Sequence, residues 1–392
     1  MTPTSSDSPE PGGWHSRKVG EMGDVLAGKA LNVKGKGQLR PYLRTVNVLD
    51  GRISLNDVLS MPMTDSEFER FRVIDGDVLL NEGNSIELVG RCSIYGDEIG
   101  VPRAMQNQLL RFRAHENTSP EFASHLFRYC QQNGRFTAIA TQTTSVAHLG
   151  SSRFENLVLS WPTDKAEQES IAKVLTDADK LIASLEGSIA KKLAVKQGMM
   201  QQLLTGRTRL PGLAPPWRDA QLGDVLTVRH GKSQKAVESS TGRYPILASG
   251  GQIGWANKPL YTKPSVLIGR KGTIDRPQYQ EKPFWTVDTL FYTEVANEAD
   301  PRYLYYVFLT VDWRSMNEAS GVPSLTSRSV ENVHVRLPEI NEQRAIREVL
   351  DDADSEVGGL TCRLEKAHAM KQGMMQQLLT GRTRLPVHEE SL

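Results

Sequence analysis

KQGMMQQLLTGRTRLP occupies residues 196–211 and again residues 371–386, identical at all sixteen positions. An identity of that length at an offset of 371 − 196 = 175 does not arise from composition, so the chain holds two copies of one unit. Upstream at the same offset, Glu167-Gln168 aligns with Glu342-Gln343, Ile171 with Ile346, Val174-Leu175 with Val349-Leu350, and Asp177-Ala178-Asp179 with Asp352-Ala353-Asp354. At an offset of 176, Glu155-Asn156 aligns with Glu331-Asn332 and Pro162 with Pro338; at 200, Gly23-Asp24-Val25-Leu26 aligns with Gly223-Asp224-Val225-Leu226. Between these anchors the halves share almost nothing. The order is therefore variable region, shared segment, variable region, shared segment.

Each shared segment reads as a long helix. Pro162 and the candidate caps Thr163-Asp164, with Glu167 in the first turn, give a start signal, and Thr205-Gly206 with Pro211 beyond gives a stop. Apolar residues recur at Ile171, Leu175, Ala178, Ile182, Leu185, Ile189, Leu193, Met199 or Met200, and Leu203, and in the second copy at Ile346, Leu350, Ala353, Val357, Leu360, Leu364, Ala367, Met374 and Leu378. That spacing is close to a coiled-coil seam, and about forty residues make a rod of roughly 60 Å. Two equivalent halves related by a pseudo-twofold axis predict antiparallel helices; two helices packed within one core would show the same pattern. Lys196, Gln197, Gln201 and Gln202 lie largely outside the seam, yet they recur as Lys371, Gln372, Gln376 and Gln377. Packing alone tolerates exchange, so these eight residues are expected to bind a partner at two equivalent surfaces, although an undrifted duplication would leave the same identity.

With 39% hydrophobic and 24% charged residues in 392, the chain has the composition of a globular protein of two or three domains. It shows no apolar run of membrane-span length and no signal-peptide pattern, so a cytoplasmic protein is expected. Cys92, Cys130 and Cys362 are too scattered for a disulfide framework or a metal site. Net charge is only +1, but the cations cluster. Between residues 28 and 52, six of them (Lys29, Lys34, Lys36, Arg40, Arg44, Arg52) face only Asp50, and between 229 and 243 four (Arg229, Lys232, Lys235, Arg243) face only Glu238. Such loops can neutralise phosphates while Arg, Lys, Asn and Gln read base edges; each can equally be a solvated loop.

Catalytic motifs fail on inspection. Ala214-Pro215-Pro216-Trp217 resembles a methyltransferase Pro-Pro-aromatic motif but lacks its leading polar residue, and reads as a proline spacer. Gly231-Lys232-Ser233 lacks the upstream glycine of a phosphate-binding loop, which would fall at Leu226. Residues 250–254, GGQIG, are too short for a dinucleotide fingerprint and suit a turn in a DNA-facing loop. The eight histidines offer no ligand spacing. Nothing specifies an enzyme, and no metal is expected.

The domain order, the EQxxIAxVL helix start at 167–175 and the repeated block together closely resemble the DNA specificity subunit of type I restriction-modification systems. PYLRTVNV (41–48), GDVLLNEGNS (76–85), QNQLLRFR (106–113), YPILASGGQIGWANK (244–258), VLIGRKGTID (266–275) and WTVDTLFY (285–292) add to the resemblance. It implies an α+β chain: two mixed α/β target recognition domains separated by two long antiparallel coiled-coil helices in a pseudo-twofold internal repeat. The expected bounds are a disordered tail at 1–13, recognition domains at 14–161 and 212–337, helices with linker at 162–211 and 338–386, and a tail at 387–392. It also implies that each domain reads half of a split, asymmetric double-stranded DNA site and that the helices set the spacer. Two modification (methyltransferase) subunits and the restriction (nuclease-translocase) subunits would do the chemistry. S-adenosylmethionine, ATP and Mg would then serve those partners, with no cofactor on this chain. The expected DNA contacts are Lys34, Lys36, Arg40, Arg44, Asn47, Arg91, Asn107 and Gln108 in the first domain and Arg229, Lys232, Lys235, Arg243, Trp255, Arg270 and Lys271 in the second. Other readings are a related methylation-based phage-defence system and a two-module protein-interaction scaffold.

Overall fold

The two variable regions, nearly unrelated in sequence, are built on one strand plan. The computed structural model describes residues 13–96, 100–143, 146–212 and 215–385. Of the expected tails at 1–13 and 387–392, residues 1–12 and 387–392 lie outside the described residues, as does Ala214 of the proline spacer; the Gly13 carbonyl accepts from Thr163 N at 2.9 Å. In the first region an antiparallel sheet runs in the order Cys92–Ile94, Val78–Asn81, Leu109–Ala114, Gly23–Ala27. In the second the order is Gln278–Gln280, Ser265–Gly269, Leu290–Val295, Leu226–His230, again antiparallel. A smaller sheet follows in each: Leu59–Met63, Gln38–Leu43, Arg103–Met105, Arg72–Val73 in the first, and Gly251–Ala256, Tyr244–Ala248, Trp285–Thr286 in the second. In each, an antiparallel pair is followed by a parallel pair; the first sheet adds a second antiparallel pair, Arg103–Met105 with Arg72–Val73. A ribbon closes each region, Trp14–Lys18 with Val158–Pro162 and Arg218–Gln221 with His334–Leu337.

Local chemistry accounts for the central elements. Val78–Asn81 and Ser265–Gly269 are buried at every residue, which explains their continuous apolar runs: both faces are covered. The amphipathic stretch at 120–132 forms the helix Pro120–Gln132, capped by the Ser119 hydroxyl, with proline in the first turn where no N–H is missed. Its counterpart Pro301–Phe308 is capped by Asp300; the chain breaks at Leu309 and resumes as a single turn, Trp313–Met316.

The shared segments form the helices Lys165–Leu203 and Ile340–Leu378. Gly206 and Gly381, both at φ +69°, end them in the left-handed conformation that glycine adopts without penalty. The chain divides into two compact units, Met1–Ser184 with Leu364–Leu392, and Leu185–Arg363. This differs from the linear bounds expected from the sequence. Each unit takes one variable region, the head of the helix that follows it and the tail of the other helix. Within the first unit Glu167 meets Arg384 and Asp179 meets Lys371; within the second Glu342 meets Arg209 and Asp354 meets Lys196. Residue numbers rise on one helix as they fall on the other, so the helices are antiparallel in each unit. Ile171, Leu175, Ile182 and Leu185 are buried as expected, but Leu193 is 48% exposed. Seven residues after Ile189 the inward stripe reaches Lys196, because at 3.6 residues per turn the position four residues on has already turned aside.

Candidate nucleic-acid interface

In each domain four segments converge beyond the ends of the buried strands. The first is the basic loop that joins the large sheet to the small one, 28–37 in the first domain and 231–243 in the second. Each opens with Gly-Lys, and each glycine is required. A Cβ on Gly28 would stand 2.2 Å from the Gln106 carbonyl oxygen, and one on Gly231 2.0 Å from that of Val287. The next amide seals the loop in both, with Lys29 N donating to Met105 O (2.9 Å) and Lys232 N to Thr286 O (2.8 Å). The second segment is a tight turn, 106–109 or 287–290, closed by Leu109 N donating to Gln106 O and Leu290 N to Val287 O. The third is the chain leaving the central strand, where Glu82 N donates to Gln108 O and Arg270 N to Thr289 O. The fourth is a late loop tied to the third, through Leu149 N to Glu82 O and Leu325 N to Arg270 O. Sequence reading missed this equivalence. Its signal was the Gly-Lys pair after the shared GDVL, displaced by three residues in the second domain (GDVLAGK against GDVLTVRHGK).

The expected contacts fall on this rim unevenly. Lys34, Lys36, Asn107, Gln108, Lys232, Lys235, Arg243 and Lys271 are exposed on the four segments. Trp255 is exposed on the edge strand beside the second basic loop. Arg270 is half-buried, with Nη1 donating to the Asp288 carbonyl at 3.2 Å. Arg229 is exposed but forms an ion pair with Glu294 at 2.9 Å, which raises its pKa. Arg40 donates to Asp65 (2.8 Å) with its guanidinium 4.8 Å from the centre of the Phe68 ring, and Arg44 pairs with Asp57. Arg91 Nε donates to Val48 O at 3.1 Å. These arginines serve the domain's own loops first. Asn47 must be corrected: it is 1% exposed, its Oδ1 accepts from Arg44 N, and its Nδ2 donates to Ser54 O and Asp57 O, so no group is left for a base.

The repeated block also needs correction. Lys371 is 6% exposed and donates to Asp179 at 2.5 Å; burial, with Arg128 nearby, pulls its pKa below the usual lysine value. Lys196 makes the equivalent bond to Asp354. Both lysines therefore bind within the chain. In the first unit Asp179 also accepts from Arg128 (2.7 Å); in the second, Asp354 also accepts from the Tyr306 hydroxyl (2.7 Å). Each aspartate thus joins both helices to its recognition domain. Glu167, 1% exposed, accepts from Arg384 Nε (3.0 Å) and Nη2 (2.6 Å), and Glu342 from Arg209 Nε (2.6 Å) and Nη2 (2.7 Å). Gln168 and Gln343 are buried beside them, accepting from Ser119 N and Asp300 N and donating to Pro162 O and Pro338 O. Much of the sixteen-residue identity has this cause: the tail of one copy fits the head of the other. Gln197, Gln201, Gln372 and Gln376 remain exposed; Gln202 and Gln377 are exposed too, but accept from Thr208 and Thr383.

Cys92 and Cys130 are buried and their thiols are pushed up in pKa, to about 12 for Cys130, so neither is a nucleophile; Cys362 is exposed. Among the described residues no group of His, Cys, Asp and Glu is arranged to hold a metal, and no helix is long and apolar enough to cross a membrane.

Comparison with known proteins agrees with this geometry. Residues 11–194 and 215–364 match the family model described as type I restriction modification DNA specificity domain. The chain is 22% identical over 406 residues to the putative type I restriction enzyme MjaX specificity subunit of Methanocaldococcus jannaschii, covering 96% of this chain and 95% of that protein. It is 23% identical over 236 residues to the EcoKI specificity subunit of Escherichia coli, covering 59% and 48%. In fold it is similar to the S subunit of a type I system from M. genitalium, with TM-score 0.65 at 16% identity over 96% of this chain and 99% of the other. A chain from a study of assembly and conformational transition of a type I system gives TM-score 0.57 at 17% identity over 96% and 100%.

Proposed function

Since the chain belongs to the type I restriction-modification specificity subunits, we propose that its two recognition domains each read one half of a bipartite, asymmetric DNA site. The observation that carries this reading is the conserved strand plan with diverged rims: the scaffold that holds the four segments is the same in both domains, while the exposed residues on them are not. Two readers with different side chains recognise different half-sites. The exposed lysines of the basic loops, Lys34, Lys36, Lys232 and Lys235, supply sequence-independent attraction to phosphate, and the turn and late-loop residues supply base contacts.

The helices set the spacer between the half-sites, and they dock two methyltransferase subunits. Docking is supported by Gly198 and Gly373, equivalent positions inside the C-terminal turns of the two helices, where an added Cβ would meet nothing within 4 Å among the described residues. Glycine there costs about 1 kcal/mol of helix stability without an internal reason, which suits the close approach of a partner beside the exposed glutamines. Adenine methylation and ATP-dependent cleavage, with S-adenosylmethionine, ATP and Mg, reside on the partner subunits. Methylation-sensitive sequencing of the host genome, compared with a strain lacking this chain, tests the reading. Loss of one split methylated motif is expected; an unchanged methylation pattern in a host with active partner subunits would refute it.

A further inference from the structure

Five of the six tryptophans are at most 8% exposed; Trp255 is 45% exposed. It stands on Gly251–Ala256, the edge strand of the second domain's small sheet, and Ile253 beside it is 52% exposed. The register shifts between Ile246 and Leu247, which pair with Gly254 and Gln252, so Ile253 is left as a bulge. A bulge kinks the edge and re-aims side chains. The basic loop runs directly alongside: Ser239 N donates to Trp255 O at 2.9 Å and Arg243 N to Ala256 O at 3.0 Å. Lys235, Arg243 and Lys258 are exposed there and, among the described residues, form no ion pair; Glu238 is the one carboxylate between residues 231 and 258. The corresponding loop of the first domain repeats the combination, with Val33 at 73% beside Lys34 and Lys36 and Leu39 at 72% on the next strand. Large apolar side chains held out among exposed cations, around the basic loop and the small sheet it leads into in both domains although on different strands of that sheet, match a polyanion with apolar faces between its charges. That is a nucleic acid rather than an apolar protein groove.

We propose that Trp255, flanked by Ile253, inserts into the bound duplex and stacks on an opened base step of the half-site read by the second domain. The proposal rests on the DNA-reading role given above and adds a mechanism to it. Stacking on an indole is tolerant of base identity, so its contribution to specificity comes through deformability: the step beneath Trp255 is an easily unstacked pyrimidine–purine step.

The test uses the full chain with its methyltransferase partner on duplexes carrying the mapped site, with 2-aminopurine placed in turn along the second half-site. Binding should change the fluorescence at one step, and Trp255→Ala should abolish that change while weakening specific binding about tenfold or more. Trp255→Phe should retain most of both effects, and the salt slope should not move, since no charge is lost. Lys235→Ala with Arg243→Ala should instead flatten the slope by about two units and weaken all sequences. Because Trp255 is solvent-exposed, thermal melts of the variants should match the parent. A Trp255→Ala complex with unchanged specific affinity, or with the 2-aminopurine signal intact, overturns the wedge and leaves the DNA-reading role standing. Loss of methyltransferase association with DNA binding retained would show a protein-docking surface and also overturn it. A parent complex that prefers no sequence would refute the underlying reading itself.

Discussion

Asp179→Ala is the substitution whose cost the structure defines best. Its carboxylate accepts from Lys371 (2.5 Å) and Arg128 (2.7 Å), which are 6% and 8% exposed. Arg128 keeps Asp50 at 2.8 Å after the change, whereas Lys371, among the described residues, keeps no carboxylate at ion-pair distance, only the weaker field of Asp50, and has Arg128 nearby. Breaking a buried pair by removing one partner costs about 3–5 kcal/mol. The Asp179 side chain is 31% exposed, and water entering there reduces the loss to about 2–3 kcal/mol. The unit concerned has 184 + 29 = 213 residues, for which that range corresponds to about 4–12 °C of melting temperature. Thermal and urea unfolding of the full chain would measure it. Adding Lys371→Met should restore most of the stability, since it removes the stranded cation. A loss under about 0.5 kcal/mol, or no rescue by the second change, would refute the claim that the repeated lysine serves as an internal joint.

Further tests address pH, salt and length. His125 is buried, and burial first, then Arg128, lowers its pKa from 6.5 to about 4, with Lys371 also lowering it and Asp179 and Asp50 opposing. The unfolded chain therefore binds a proton that the folded chain refuses between pH 6.5 and 4, so stability should fall by up to about 3 kcal/mol on acidification through that window. His125→Gln should flatten this part of the profile; an unchanged slope would place the titration elsewhere. Lys34→Ala with Lys36→Ala should reduce the salt slope of DNA binding by about two units, whereas Arg40→Ala and Arg44→Ala should mainly lower stability, because those arginines are tied to Asp65 and Asp57. Equal slopes in both pairs would contradict that division. One heptad added between Gly187 and Ser188, with another between Cys362 and Arg363, lengthens each helix by about 10 Å and should shift methylation to the same half-sites with a spacer longer by about one to three base pairs, at reduced affinity. A complex that still modifies only the original spacer would show that the helices do not set the distance.

The repeat made the domain order and both helices legible, since period and caps are local properties. What it could not show is which copies of the repeat touch. Lys196 and Lys371 look like surface residues by type, although the helical period turns them inward, and only the antiparallel pairing places Asp354 and Asp179 against them. The strand plan common to both domains was hidden because buried strands tolerate hydrophobic exchange and loops tolerate insertion: the Gly-Lys that opens each basic loop is shifted by three residues, and QNQL and VDTL share only the leucine that closes the turn. Asn47 was misplaced for a related reason. Asparagine suits a base edge and a tight turn equally well, and burial alone separates the two.

The central claim is that two independent readers sit on matched helices. Replacing residues 217–337 with another recognition domain of the family, while keeping the helix tails that carry Arg209 and Arg384, and mapping the methylated motif genome-wide tests it most directly. The account predicts that one half of the split motif changes while the other half persists. A complex that assembles and methylates but changes both halves, or neither, would contradict it.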